Sequence, residues 1–556
     1  MYKESNKISM TEGDSNIENI LHKRSLKRFD AVNHWHNQFL ENVVNKVDES
    51  FFIPLFNEKM GAPNVPIRQL IGISILKEGF GISDEQMFEQ VQFHLLVRKA
   101  LGIIQMSDPG PSIDVYYFFR RRIVDYEREN GIDLYKLCFE SITKSQVLKF
   151  KVEGKSIRMD SKLIGSNIAW YSRFQIIHET VLMSAKDLSI RQLHCLKKED
   201  RITHQALLEE PAQQLVYTET AEAIEKRLTE LGYLIYGLLM HFPDSLPYYQ
   251  LLKRVFNEQF IVENKRVIPR NKKDISAQSV QNPHDPDATY RRKENKKVKG
   301  YSTNITETCD SDGLNLIINV QVKNVSAADN GFFEQAITES QENVLSEKIK
   351  KAHLDGAYHS VSNRVFADKE LMKLYLTGLQ GKPPRFILEQ TESGLQVIDT
   401  QTGEIKIVEI TKKRKWRIKI GRGYRYFSQK DIETAVLRKE LENTPAEETK
   451  KRNNVEASIF QYCFHTRNNK TRYRGLIKHK LFSYARCLWI NLVRIAIYQI
   501  KTCLGTPLIE FLKLILLLKI QILQILTKKS DFQIINSFYI NLMSNRLSYI
   551  LINLTF

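Results

Sequence analysis

Cysteine is scarce and unpaired in this sequence. Its six cysteines (Cys138, Cys195, Cys309, Cys463, Cys487 and Cys503) are scattered along 556 residues, and no two form a Cys-x-x-Cys pair. That spacing excludes a disulfide framework and a zinc module, and it fits a reducing cytosol. An apolar leader is missing as well. The first thirty residues are polar and mixed in charge, so no secretory signal is expected. No segment repeats at a fixed period, which rules out a solenoid. Negative charge is the last shortage: 64 Asp+Glu face 82 Lys+Arg, a formal charge of +18. Such an excess favours a polyanionic partner, nucleic acid ahead of an anionic membrane.

What is present is ordinary globular material, 42% hydrophobic and 26% charged, enough for a large core. The length suggests roughly three to four domains of ~150 residues. Residues 1–45 read as a polar arm and 46–145 as a helical DNA-binding domain. In the latter, Ile67, Leu70, Ile71, Ile73 and Ile75 predict a short buried helix ending at Gly79 and Gly81. Ser83 with Gln86 three residues on is a capping box, opening a helix that runs through Met87, Val91, Leu95 and Ala100. A third helix starts near Pro111-Ser112 and ends in Arg120, Arg121 and Arg122.

Mixed helix and strand texture extends over 146–500, mostly helical at about 170–298 and β-rich at about 375–430. Residues 219–240 carry Ile224, Leu228, Leu231, Ile235 and Leu238 at helical spacing. A basic knot follows: Arg291, Arg292, Lys293, Lys296, Lys297 and Lys299. Gly300 introduces two strands, the second alternating over 314–322. From about 385 to 427 the period is two. Its last strand region bears eight cations against one acid between Glu409 and Gln429. Lys412, Lys413, Arg414, Lys415 and Arg417 with Trp416 are the DNA-contacting candidates there, since cations mixed with aromatics suit a phosphate backbone with nearby stacking. The bland alternative is a solvated edge strand decorated with Lys. Further cations, Arg472 and Arg474 among them, occupy an acid-free stretch from His465 to Arg486. Residues 505–556 are an Ile/Leu-rich tail of unassigned role, 22 of the 51 residues from 506 onward. Lys513, Lys519 and Glu510 inside its best apolar run argue against a membrane span.

Three acids stand where their neighbours suggest one job. Asp160 ends the strand Ser-Ile-Arg-Met-Asp, Asp355 ends Ala-His-Leu-Asp, and Glu456 opens a helix after Arg452-Asn453-Asn454-Val455. Two acids at the ends of adjacent strands and one on a helix beside them can converge. Crowded carboxylates repel unless cations neutralise them. Two Mg²⁺ or Mn²⁺ ions would do so and catalyse phosphoryl transfer, and hard oxygen ligands without a Cys/His cluster suit those metals. Singly, each Asp is more often a turn or cap residue.

The stretch Met159-Asp160-Ser161-Lys162-Leu163-Ile164-Gly165-Ser166-Asn167 resembles the first-aspartate block of bacterial insertion-sequence DDE transposases. Lys299-Gly300-Tyr301 with its two strands, and Leu354-Asp355-Gly356-Ala357-Tyr358, resemble the next blocks. Arg452 and Glu456 match the Arg-x-x-x-Glu part of the family's Tyr-Arg-Glu-Lys motif. The motif's Tyr falls on Thr449 and its Lys on Cys463, so those DNA contacts are not carried over. The likeness spans roughly 50–498, and includes an InsH-like helical N-terminal domain. It implies an α/β fold: an RNase H-like mixed five-stranded core with helices on both faces, an all-α N-terminal domain, a helical insertion and a β-rich insertion. It implies Asp160, Asp355 and Glu456 as catalytic metal ligands for two Mg²⁺ (or Mn²⁺), and Arg452 as a DNA contact. The reaction implied is cleavage at element ends and transfer of the 3′-OH to target DNA. The partners would be terminal inverted repeats, target DNA and a second copy in a synaptic homodimer, in the bacterial cytoplasm at the nucleoid. The alternatives are a structure-specific nuclease on the same core, an inactive transposase-derived DNA-binding protein, and a membrane-associated protein.

Overall fold

The computed structural model describes residues 2–4 and 21–504, apart from 58–62, 244–245, 294, 311–312, 379–383, 392–393, 409, 412–414 and 422. It is mixed α/β. The Ile/Leu-rich tail lies outside the described residues, and no described helix is long and apolar enough to cross a membrane.

Among the described residues, seven α-helices come first: α1 (Lys23–Phe29), α2 (Trp35–Asn42), α3 (Ile67–Phe80), α4 (Asp84–Phe93), α5 (Leu95–Ala100), α6 (Ile113–Asn130) and α7 (Leu134–Lys149). Local chemistry sets their ends. Gly81 closes α3 in the left-handed region at φ 70°, where a side chain would be strained. The Ser83/Gln86 capping box opens α4 as expected. Two expectations need correcting. The chain breaks at His94, whose side chain caps α5, so the run from Met87 to Ala100 is two helices rather than one. The third helix does not stop at its arginines but continues to Gly131, another left-handed cap. Trp35, Phe39 and Leu40, within the stretch read as a polar arm, are buried in this helical layer.

The central sheet has six strands. Its main path runs β6 (Ile317–Asn324), β5 (Lys296–Thr308), β1 (Ser156–Gly165), β7 (Lys351–Leu354) and β8 (Lys373–Leu376), and β4 (Thr289–Lys293) also pairs with β5. Strands β1, β7 and β8 are parallel; β5 and β6 are antiparallel to their neighbours. Gly300 pairs with Thr289 and Gly165 at once, so β4 extends the edge of β5 that β6 occupies further along. A Cβ at Gly300 would collide with Ile164 O and lie 2.6 Å from Ser166 N, hence the glycine after Lys299.

Between β1 and β4 lies the helical insertion: α8 (Arg173–Ala185), α9 (Ile190–Cys195), α10 (Lys198–Glu209), α11 (Ala212–Thr218), α12 (Ala221–His241) and α13 (Tyr249–Gln259), followed by the small β2–β3 hairpin (Phe260–Glu263, Arg266–Pro269). It closes its own core around Leu231, Leu234, Ile235 and Leu238 of the predicted helix. After β6 comes a short helix, α14 (Phe333–Glu339), ending in one π-turn. Helix α15 (Val361–Lys369) joins β7 to β8.

The β-rich insertion is a three-stranded sheet, β11-β10-β9 (Ile405–Val408, Gly394–Asp399, Phe386–Thr391), and a ribbon, β12–β13 (Trp416–Ile420, Gly423–Phe427). Helix α16 (Gln429–Glu442) covers it with Ile432, while Leu437 on the same helix packs into the core of the central sheet. Helices α17 (Ala446–Asn453), α18 (Val455–Cys463) and α19 (Leu476–Leu504) complete the described chain. Residues 481–492 of α19 share one apolar core with α2–α7, and Ile164, Ile305, Ile317 and Val320 of the sheet join it. The opposite sheet face packs on Phe332, Phe333 and Ile337.

Candidate active site

Strand β1 is longer than its sequence motif indicates. Asp160 does not end it but sits at its middle, opposite Ile305 of β5. The parallel pairing of β1 with β7 stops at Arg158–His353. Continued by two residues, that register sets Asp160 level with Asp355, just past the end of β7. Both carboxylates therefore leave the sheet where β7 gives way to a turn. Each also takes a backbone N–H: Ser161 donates to Asp160 at 2.8 Å and Gly356 to Asp355 at 2.6 Å. Glu456, in the first turn of α18, comes in from the side.

A single guanidinium joins the three. Arg452 Nη2 lies 3.1 Å from Asp160 Oδ2 and 4.0 Å from Asp355 Oδ2, and Nη1 donates to Glu456 Oε1 at 2.8 Å. Arg452 is mostly buried, Glu456 mostly open to solvent. Burial raises the Asp160 carboxyl above the ordinary range, and the charges of Asp355 and Asp329 push the same way against Arg452. With the guanidinium between these acids, no group of three His, Cys, Asp or Glu among the described residues stands as a ready metal cluster.

Sequence reasoning missed the frame that aims these groups. Glu307 of β5 is fully buried between Arg158 Nε (2.5 Å) and Arg494 Nη1 (2.7 Å), and Ser458 of α18 donates to it at 2.6 Å. Burial alone would raise the Glu307 carboxyl, but Arg494 and Arg158 outweigh it and hold the group below its usual range. Arg158 Nη1 also reaches Lys451 O at 3.0 Å, next to Arg452. The fourth acid, Asp329, accepts from Ser161 Oγ at 2.8 Å and has Arg291 3.8 Å away. No spacing in the sequence marks it.

These acids line one end of a cleft of about 1000 Å³. Its other walls are cationic: Arg291, Lys293, Lys296, Lys297 and Lys299 from the β4–β5 hairpin, with Lys162, Lys470 and Trp170. Five of the knot's six cations thus share the cleft with the acids. Cys463, at the motif's Lys position, lines the cleft too; burial raises its thiol to about 11, with Lys162 acting in the opposite sense.

The remaining DNA-contacting candidates fall apart into groups. Lys412, Lys413 and Arg414 lie outside the described residues. Lys415 and Arg417 are exposed, but Trp416 turns inward onto the core of the β-rich insertion. On the ribbon, Arg417 pairs with Tyr426 and Lys419 with Tyr424, so both cations and both tyrosines share the outer face. Arg472 is bound to the Gly81 and Ile82 carbonyls, and Arg474 to Asn167 O at 2.7 Å. In α6, Arg120 packs against Tyr116 and Tyr473 and Arg122 over Phe118, leaving Arg121 outward.

Residues 27–122 match the family model described as Transposase domain (DUF772). The match supports a role in transposition. The matched segment covers most of the helical layer, from within α1 into α6, and α19 contacts it directly: Arg486 donates to Glu78 O and Gly79 O at 2.9 and 3.1 Å. No curated protein and no solved structure matches the chain.

Proposed function

We propose that this chain is a DDE transposase, which cleaves DNA at the ends of an insertion sequence and joins the freed 3′-OH to target DNA. The observation that carries this reading is the convergence of Asp160, Asp355 and Glu456 on one cation, Arg452, all within 4.0 Å. The strand order β6-β5-β1-β7-β8, with β1, β7 and β8 parallel, supports an RNase H-like core.

The donor set fits hard divalent cations. Three carboxylates already draw in positive charge at one point, and no thiolate or imidazole lies among them. Asp160, Asp355 and Glu456 would hold two Mg²⁺ or Mn²⁺ ions, which supply activation of the attacking oxygen and stabilisation of the leaving 3′ oxygen. The protein's own part is positioning. The Glu307 pairs fix β1 against α18 and α19, the Ser161 and Gly356 amides fix the two aspartates, and Arg452 keeps the acids neutralised until phosphate offers it another partner. The cleft lysines hold the DNA backbone along the approach, and the β12–β13 ribbon grips it at a distance. Target capture and end pairing would need two copies, as in a synaptic homodimer.

The test uses duplex DNA carrying the inverted repeats that bracket the coding region. Wild type should nick it and transfer strands only with Mg²⁺ or Mn²⁺, and Asp160→Asn should do neither. Nicking without transfer would leave the nuclease reading; full activity in EDTA would remove the assignment.

A further inference from the structure

We propose that the cleft holds a separate nucleotide subsite, in which Lys299 takes a DNA phosphate and Trp170 stacks an unpaired base. It rests on the transposase reading only for the choice of DNA as the polyanion, and it uses none of the carboxylates.

Lys299 is the anchor. It is 8% exposed, on the stretch of β5 that pairs with β4, yet among the described residues no carboxylate lies within ion-pair distance of it. Its ammonium meets only the Trp170 ring, 5.2 Å from the centroid, and Tyr171 O at 3.5 Å. A buried cation without a counter-charge is unfavourable, and burial accordingly lowers its pKa. A phosphate oxygen is the partner such a group lacks. Lys162, Lys296, Lys297 and Lys470 line the same cleft, and no described carboxylate pairs with any of them. Ordinary surface lysines are solvated and mobile; Lys299 is held.

Trp170 is the second observation. It is 48% exposed and belongs to none of the chain's apolar clusters, although a tryptophan left half in water forgoes much of its burial energy. The loop that carries it is tied at Ala169, whose carbonyl accepts from Asn282 Nδ2 at 3.2 Å. Gly165 pairs with Gly300, and Ser166 Oγ and Tyr301 Oη both donate to the buried Asp285, so the turn leaving β1 is held rigidly. An indole face beside a row of lysines is the composition that binds single-stranded nucleic acid: phosphates along the cations, a base on the ring.

The experiment measures binding of a twelve-nucleotide dT oligomer to the full chain in EDTA, by intrinsic fluorescence and by anisotropy. Trp35 and Trp489 are buried and Trp416 is half-buried, so Trp170 is the indole a base can reach. Saturable quenching is expected in wild type. Trp170→Phe should lose most of it, and Trp170→Ala should bind roughly tenfold more weakly. Lys299→Gln should flatten the salt dependence by about 0.7 of a log–log unit, and Lys299→Arg should restore it. If Lys299→Gln does not fold, Lys470→Gln and Trp170→Phe decide by the same measurements. Wild-type affinity, quenching and slope in these variants would overturn the proposal. The Asp160→Asn nicking assay run beside it answers a different question: retained nicking there sinks the catalytic reading and leaves this subsite standing.

Discussion

Arg452 donates to Asp160 across 3.1 Å, so a guanidinium occupies the point on which the acids converge. Arg452→Ala should leave a buried carboxylate without its counter-charge. At pH 7 in EDTA the variant should melt below wild type, and saturating Mg²⁺ should raise its melting temperature more than that of wild type. Equal Mg²⁺ shifts would mean that the arginine does not stand in for a metal.

Changing Glu456 to Gln keeps size and hydrogen bonding while removing one charge. Cleavage should fall by orders of magnitude, with DNA affinity level or slightly higher because a carboxylate near phosphate has been neutralised. If Glu456 merely favours the helix start, Gln would cost about 0.3–1 kcal/mol of stability and leave turnover intact. Cleavage rate, affinity and melting temperature on that one variant separate the two outcomes.

Asp160 sets a pH signature. Its folded-state pKa is raised by burial, so its contribution to stability is full below the ordinary carboxyl value near 3.8 and is lost as pH rises through the raised one. Metal-free Asp160→Asn should therefore gain on wild type as pH goes from 3 to 7, with the curves meeting at the acid end. Parallel melting curves across that range would contradict the raised pKa.

Glu307 carries the opposite sign. Held low between Arg494 and Arg158, it stabilises the fold above its unfolded pKa and ceases to as pH falls through the folded one. Glu307→Ala would strand two arginines and should cost about 3–5 kcal/mol in a denaturant titration. Ser458 would also lose its acceptor two residues from Glu456. A loss under ~1 kcal/mol would show that the pair is solvated.

On the ribbon, Arg417→Ala with Lys419→Ala should lower duplex affinity and reduce the salt slope by about 0.9 for each phosphate no longer neutralised. Replacing Lys412, Lys413, Arg414 and Lys415 should act in the same direction. Trp416→Phe, by contrast, should chiefly reduce stability, because that ring packs inward. An unchanged slope returns the ribbon to a solvated edge.

Short-range chemistry was the readable part of the sequence. The Ser83 capping box, Gly81 and the alternating β6 follow from neighbours in the chain, and Asp160, Asp355 and Glu456 stand out because each sits in a distinctive local string. What escaped reading depends on distant pairing. Asp160 falls mid-strand because β5 continues alongside β1 after β7 has left. Asp329 and Glu307 acquire meaning only from partners far along the chain, Glu307's Arg158 and Arg494 among them. Charge density located the basic knot but not its surroundings, and it gave no sign that Arg472 and Arg474 meet backbone carbonyls and that Arg120 packs on aromatic rings. Trp416 packs inward while Lys415 and Arg417 beside it stay exposed, because successive side chains on a strand point to opposite faces.

Helix α19 gives the chain a dependence running backward along the gene. The core that holds Phe39 and Ile71 is completed by Leu488 and Trp489, some four hundred residues downstream. A copy of the gene interrupted by a stop codon before Leu476 would lack those side chains, and its amino-terminal helices would be left without a wall of their core. On the proposed function, such a decayed copy would not supply a free end-binding fragment to compete with the intact protein, so loss of cleavage and loss of DNA recognition would arrive with the same lesion.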